Sequence, residues 1–149
     1  MYKVMIVGHG FVGSAVASLF SEKEKVIVDP KFSDSKISDN PGIPFDAVFV
    51  SVDTPKAEGF KLLDSILQEL DYNMVEGTPV CCKSTATPEF YYNVSQKYKN
   101  IKIVHSPEYL NKTNPIKMFQ GQKFFIIGGD QHAAMTVGCL LYTSPSPRD

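Results

Sequence analysis

The sequence predicts an α/β fold: a doubly wound parallel sheet with helices on both faces, in three α/β/α layers. Three observations predict it. Short β-branched runs alternate with segments of helical apolar spacing along the chain. The first run ends on Gly8-His9-Gly10-Phe11-Val12-Gly13, a glycine turn that opens a helical segment. The second run ends on a carboxylate, Asp29, at the separation such a turn requires.

Each element follows from local chemistry. Residues 2–7 form a short apolar strand that stops at glycine. Residues 11–20 place Val12, Ala15, Val16, Leu19 and Phe20 on one helical face. Residues 25–28 are a second β-branched run, closed by Asp29-Pro30, and complete a β-α-β unit. Residues 32–44 are polar and broken by Ser, Asp, Asn, Gly and Pro, so they read as a connecting loop. A third strand at 46–52 is stopped by Asp53-Thr54-Pro55. Leu62, Leu63, Ile66, Leu67 and Leu70 repeat at helical spacing within 59–71. A fourth strand occupies 79–83. Thr87-Pro88-Glu89 supplies an N-cap, a proline at the first helical position and an early carboxylate, for a helix running to Lys99. Fifth and sixth strands fall at 101–105 and 123–127, and Asp130 or Gln131 opens a last helix. The expected architecture is a Rossmann-type sheet, all strands parallel, in the order 3-2-1-4-5-6 with right-handed crossovers.

The glycine turn carries a specific chemistry. Gly8 allows a tight turn, Gly10 lets the backbone approach a pyrophosphate, and Gly13 lets the helix pack against the strand. Phe11 and Val12 complete the turn, whose helix start offers free N–H groups to phosphate. Asp29 can accept hydrogen bonds from adenosine ribose hydroxyls and would repel a 2′-phosphate, which favours NAD over NADP. Residues 1–138 hold no arginine, the usual bidentate partner of that phosphate, although Lys31 partly offsets Asp29. His9 is expected to point outward and receives no chemistry.

Composition excludes other classes. The 149 residues suit one domain, and 15 basic against 16 acidic side chains create no field for nucleic acid. Hydrophobic residues at 43% and charged ones at 21% are those of a globular chain, with no apolar run long enough to span a bilayer. The N-terminus enters a strand directly without a signal pattern, so the cytoplasm is the expected compartment. Three cysteines, two of them adjacent, argue against a disulfide framework or a zinc site, and no metal is expected. Cys81 and Cys82, on opposite faces of a strand, read as buried structural thiols.

The end of the chain differs. Every basic residue but Arg148 is lysine, and the sole Pro-Ser-Pro cluster lies beside that arginine. Residues 139–149, Cys-Leu-Leu-Tyr-Thr-Ser-Pro-Ser-Pro-Arg-Asp, resemble the in-frame translation of a sequencing-library adapter. A non-native tail from 139 makes residues 1–138 the expected front portion of a longer protein.

Several further segments carry a family resemblance. They are Val50-Ser51-Val52-Asp53-Thr54-Pro55, Lys83-Ser84-Thr85, Ser106-Pro107-Glu108-Tyr109-Leu110 and Ile126-Ile127-Gly128-Gly129, in order behind the glycine turn. Together they resemble the N-terminal NAD-binding domain of the UDP-glucose/GDP-mannose dehydrogenase family. The resemblance implies an enzyme that oxidises the C6 alcohol of a nucleotide sugar, UDP-glucose first, to the uronate. It implies two NAD used in succession, a covalent cysteine intermediate, and a homodimer at full length. It also implies roles. Gly8, Gly10, Phe11, Val12, Gly13, Asp29, Thr54 and Pro55 would hold NAD. Thr85 would sit near the nicotinamide and help order a catalytic water. Glu108 would take part in proton transfer, and Tyr109, Leu110, Asn111 and Lys112 would meet the nucleotide sugar. Plainer readings stand beside these: Thr54 as a strand-ending turn residue, Thr85 as a loop residue, Glu108 as a surface carboxylate.

There are departures. Asn111-Lys112-Thr113 follows Leu110 where the family often has Arg-Glu-Gly or Thr-Glu, so Lys112 replaces a carboxylate. Lys123 stands where the family often has arginine. The family's catalytic cysteine, its lysine and asparagine, and most sugar-binding residues belong to a second half beyond these residues. The chain alone is therefore expected to be inactive. A hydroxyacid or 3-hydroxyacyl dehydrogenase and a non-catalytic dinucleotide sensor are the alternative readings.

Overall fold

The computed structural model describes residues 1–55, 60–107 and 127–143. In chain order they form β1 (Val4–Val7), α1 (Phe11–Ala17), β2 (Lys25–Val28), a 3-10 turn (Ile37–Asp39), β3 (Ala47–Val50), α2 (Lys61–Asn73), β4 (Pro79–Cys82), α3 (Pro88–Lys97), β5 (Lys102–His105), β6 (Gly128–Gly129) and α4 (Gln131–Thr143). The strands make one six-stranded sheet in the order β2-β1-β3-β4-β5-β6.

The period-2 geometry of the strands sorts the core into two layers. One face of the sheet carries Met5, Val7, Val48, Val50, Val80, Cys82 and Ile103, packed under Leu63, Leu67 and Leu70 of α2 and Tyr91 and Val94 of α3. The other carries Val4, Ile6, Ala47, Phe49, Cys81 and Val104, under α1 and under Ala133, Val137, Leu140 and Leu141 of α4. The three-layer expectation is met, and the adjacent cysteines do face opposite layers. Burial pushes the Cys82 thiol well above its ordinary range, so it stays protonated.

Helix starts obey the expected cap chemistry. The Thr87 hydroxyl accepts the Phe90 N–H at 3.1 Å, with Pro88 at the first position of α3. The Asp130 carboxylate accepts the Ala133 N–H at 2.9 Å and opens α4 at Gln131. Helix α1 is shorter than its apolar spacing predicts. After Ala17 the chain tightens, with Leu19 N–H donating to Val16 O and Phe20 N–H to Ala17 O, yet both side chains stay buried.

The strand order corrects the predicted 3-2-1-4-5-6. The third strand pairs with β1, parallel, on the side opposite β2, with Val4 opposite both Lys25 and Ala47. Among the described residues no strand lies outside β2. The cause is the 29–46 connection, whose only regular element is the 3-10 turn. It drops Ile37 and Phe45 into the layer under α2, and so carries the chain over β1 without a helix. The expectation of an all-parallel sheet is also corrected. β5 pairs antiparallel with β6 at Gly128–Gly129; of the strand expected at 123–127 only Ile127 is described. Residues 123–126 lie outside the described residues. Gly129 adopts φ +127°, a left-handed conformation in which a Cβ would crowd the backbone of Ile103 and Val104. The boundary drawn after Gly138 falls inside α4, where Leu140 and Leu141 are buried.

Candidate functional site

The site is built at the carboxyl ends of the parallel strands, where open α/β sheets gather their ligands. β1 ends at Val7, and Gly8 turns the chain at φ +93° while its N–H donates to Val28 O at 2.9 Å. A Cβ on Gly8 would overlap the Ser51 carbonyl oxygen. A Cβ on Gly13 would overlap the carbonyl oxygen of Gly8 itself, so α1 lies directly on the turn it leaves. Gly10 is the opposite case: no atom lies within 4 Å of where its Cβ would stand. Two glycines of the turn are required by packing, and the third is required by nothing among the described residues.

Asp29 locks this turn to the end of β2. Its Oδ2 accepts the His9 N–H at 2.8 Å, and its Oδ1 accepts the Lys31 N–H at 2.9 Å. The His9 bond, then the Lys31 bond, hold the carboxyl below the usual carboxylate range. Each oxygen retains a further lone pair for an outside donor. Because the folded chain holds this group ionised at a pH where the unfolded chain protonates it, the bonds stabilise the fold above about pH 4. That stabilisation is lost as pH falls through the depressed folded value. Asp29→Asn is therefore expected to be less stable than the unaltered chain at neutral pH, with the difference shrinking as pH falls through and below the ordinary carboxylate range. Urea midpoints across that range check it.

His9 does not point outward as its position in the turn suggested. Its ring meets Phe32 edge to face, centroids 4.9 Å apart, and its Nδ1 is buried without a hydrogen-bond partner. The reason is the chain after Asp29. Phe32 and Ser33 N–H both donate to the Asp29 carbonyl, which folds Phe32 back onto the turn.

Beyond Gly10 a cleft of about 470 Å³ runs along the strand ends, lined by Gly10, Phe11, Val12, residues 51–54 and residues 83–85. Its floor is stitched strand to strand. Ser51 N–H donates to Val7 O, Lys83 N–H to Val50 O and Ser106 N–H to Cys82 O. The Ser84 hydroxyl accepts the Val52 N–H at 2.9 Å. Thr54 and Thr85 come together: the Thr54 hydroxyl donates to the Thr85 carbonyl at 2.6 Å, which ties the rim of β3 to the rim of β4. Pro55 follows on the exposed surface. Glu108, Tyr109, Leu110, Asn111 and Lys112 lie outside the described residues.

Three contributors carried no role in the sequence reading. Ser51 lines the cleft with a buried Oγ that has no partner, an orphaned polar atom of the kind a ligand satisfies. Lys83 lines it too, 5% exposed, its Nζ 3.3 Å from the Oγ of fully buried Ser106. Ser84 supplies the bond to Val52. The signal for Lys83 and Ser84 was their place beside Thr85, directly after a strand. Ser51 carried no signal beyond its strand. His105 ends β5 and stacks on Tyr91, centroids 4.3 Å apart, with its imidazole held below its ordinary range by burial and then by the Lys83 charge.

The residues fit a dinucleotide. The Gly10 position is open to the cleft, the Ser51 hydroxyl lacks a partner, and the Asp29 carboxylate keeps acceptor capacity at the end of β2. Among the described residues no helix is long and apolar enough to cross a membrane.

No protein-family model and no curated protein sequence matches the chain. Solved structures do share its fold. A UDP-glucose dehydrogenase from Pyrobaculum islandicum superposes with a TM-score of 0.72 at 15% identity, over 99% of this chain and 45% of that one. A GDP-mannose dehydrogenase from Pseudomonas aeruginosa gives 0.70 at 18% identity, over 95% and 44%. The 3-hydroxyisobutyrate dehydrogenase of Mycobacterium tuberculosis gives 0.71 at 12% identity, over 95% and 51%. The chain thus spans about half the length of the dehydrogenases whose fold it shares.

Proposed function

We propose that this chain is the NAD-binding portion of a nucleotide-sugar dehydrogenase that oxidises the C6 alcohol of a UDP-sugar, UDP-glucose first, to the uronate. One observation carries the dinucleotide reading: an open Gly10 faces the cleft beside a carboxylate anchored at the end of β2. The Ser106-Pro107-Glu108-Tyr109-Leu110 segment, next in sequence after β5, supports the nucleotide-sugar reading over a hydroxyacid enzyme. In this reading Gly8, Gly10, Phe11, Val12, Gly13, Asp29, Thr54 and Pro55 hold NAD. When bound, its nicotinamide accepts the hydride. Thr85 orders water at that end, Glu108 handles the proton, and Tyr109, Leu110, Asn111 and Lys112 meet the sugar nucleotide. The natural protein continues past Gly138 into a second half that supplies the nucleophile and completes a homodimer, and residues 139–149 are foreign to it.

The test has two arms. Calorimetric titration of the 149-residue chain should show NAD binding and much weaker NADP binding, with no oxidation of UDP-glucose by the chain alone. Reading the native gene past the Gly138 codon should reveal a downstream cysteine. Equal binding of NAD and NADP would refute the role of Asp29. A stop codon directly after Asp149 would refute the longer enzyme.

A further inference from the structure

This inference rests on the dinucleotide reading and deepens it. The cleft is lined from the ends of β1, β3 and β4, with no lining residue from β2. It accounts for the pyrophosphate and nicotinamide half of a dinucleotide. The other half starts at Asp29, and there the described sheet ends, since β2 is its edge strand among the described residues. A base attached to a ribose held by Asp29 would therefore extend past the edge strand of the described sheet.

One group stands in that place. Phe32 follows Asp29 by one tight turn, fixed by the Phe32 and Ser33 N–H bonds to the Asp29 carbonyl. Phe32 is 62% exposed, yet its ring meets the His9 imidazole edge to face at 4.9 Å and 73°. His9 is itself pinned through its backbone N–H to the Asp29 carboxylate. The carboxylate, the imidazole and the phenyl ring form one connected unit, with an exposed aromatic ring three residues after the carboxylate. We infer that Phe32, backed by His9, is the platform on which the adenine base of the dinucleotide lies. Stacking on a pre-positioned aromatic face is sequence-tolerant and strong, and costs little ordering because the ring is already placed.

The chain contains no tryptophan, so Phe32→Trp installs a single fluorescent reporter in the platform. Three proteins are titrated with NAD and ADP, with folding followed by circular dichroism: the unaltered chain, Phe32→Ala and Phe32→Trp. Phe32→Ala is expected to bind both ligands roughly tenfold more weakly while folding normally, since the ring it removes is exposed. Phe32→Trp is expected to keep NAD affinity within about threefold, with its indole emission quenched by NAD and by ADP alike. Unchanged affinity in a folded Phe32→Ala, or emission unmoved at saturating NAD, would overturn the platform while leaving the dinucleotide reading intact. Absence of NAD binding by the unaltered chain would overturn both.

Discussion

Replacing Gly13 by alanine is expected to destabilise the chain by roughly 2–4 kcal/mol and to reduce NAD affinity at least tenfold. The added Cβ would coincide with the carbonyl oxygen of Gly8, which is backbone and cannot rotate aside. Relief requires α1 to lift from the turn, and Ala15, Val16, Leu19 and Phe20 would lose their seat on the layer they share with Phe49. Gly10→Ala is the matched control. Its Cβ meets nothing within 4 Å, and Gly10 has an ordinary φ of −75°, so stability should change by less than about 1 kcal/mol. Its methyl would nevertheless stand in the cleft and weaken NAD binding. Urea unfolding and calorimetric titration of the two variants separate a glycine that packing requires from one that a ligand requires. Equal loss of stability in both would refute the distinction.

The second large effect is expected at the other end. Leu141 is fully buried and Leu140 nearly so, in the layer with Val4, Phe49 and Val104. Leu141→Ala should cost about 2–5 kcal/mol through lost burial and the cavity left behind. Ending the chain at Gly138 removes both leucines and the last turns of α4, a loss comparable to the whole stability of a domain this size, about 5–15 kcal/mol. A chain of residues 1–138 is therefore expected to lack a cooperative thermal transition that the 149-residue chain shows. The same packing constrains the proposed natural continuation: whatever follows Gly138 there must again place apolar side chains two and three positions on. A native gene with charged residues at both places would contradict either the helix or the foreign tail.

Much of this molecule was legible from residue pattern. The alternation of Val4 to Val7 and of Ala47 to Val50 has no polar interruption, and such doubly buried runs belong to a sheet covered on both faces. The Thr87-Pro88-Glu89 cap was legible because its chemistry is local. The strand order was not. Whether β3 falls outside β2 or beyond β1 depends on how residues 29–46 cross the sheet, and two isolated apolar residues, Ile37 and Phe45, carry that information. They look like loop residues until their burial is known. In the site, the roles of Gly8 and Gly13 follow from the motif, because close approach of backbone to backbone admits only glycine. The Thr54–Thr85 contact was not legible, since it joins two strand ends through one hydroxyl and depends on register. Nor was the burial of the His9 Nδ1, which depends on Phe32 folding back across a turn.

The place of β1 between β2 and β3 also bears on how the chain acquires its structure. β1 finds both of its neighbours within the first fifty residues, and the one later element its connections lean on is α2, which covers Ile37 and Phe45. Loop closure over such short spans is entropically mild, so this three-stranded segment with α1 is the natural nucleus. It could assemble as the N-terminus leaves the ribosome, before β4 and β5 exist. Later elements would then add one at a time to the exposed edge of β3. In that sequence of events the glycine turn, closed by Asp29, forms among the earliest structures, and the β4 and β5 side of the cleft among the last.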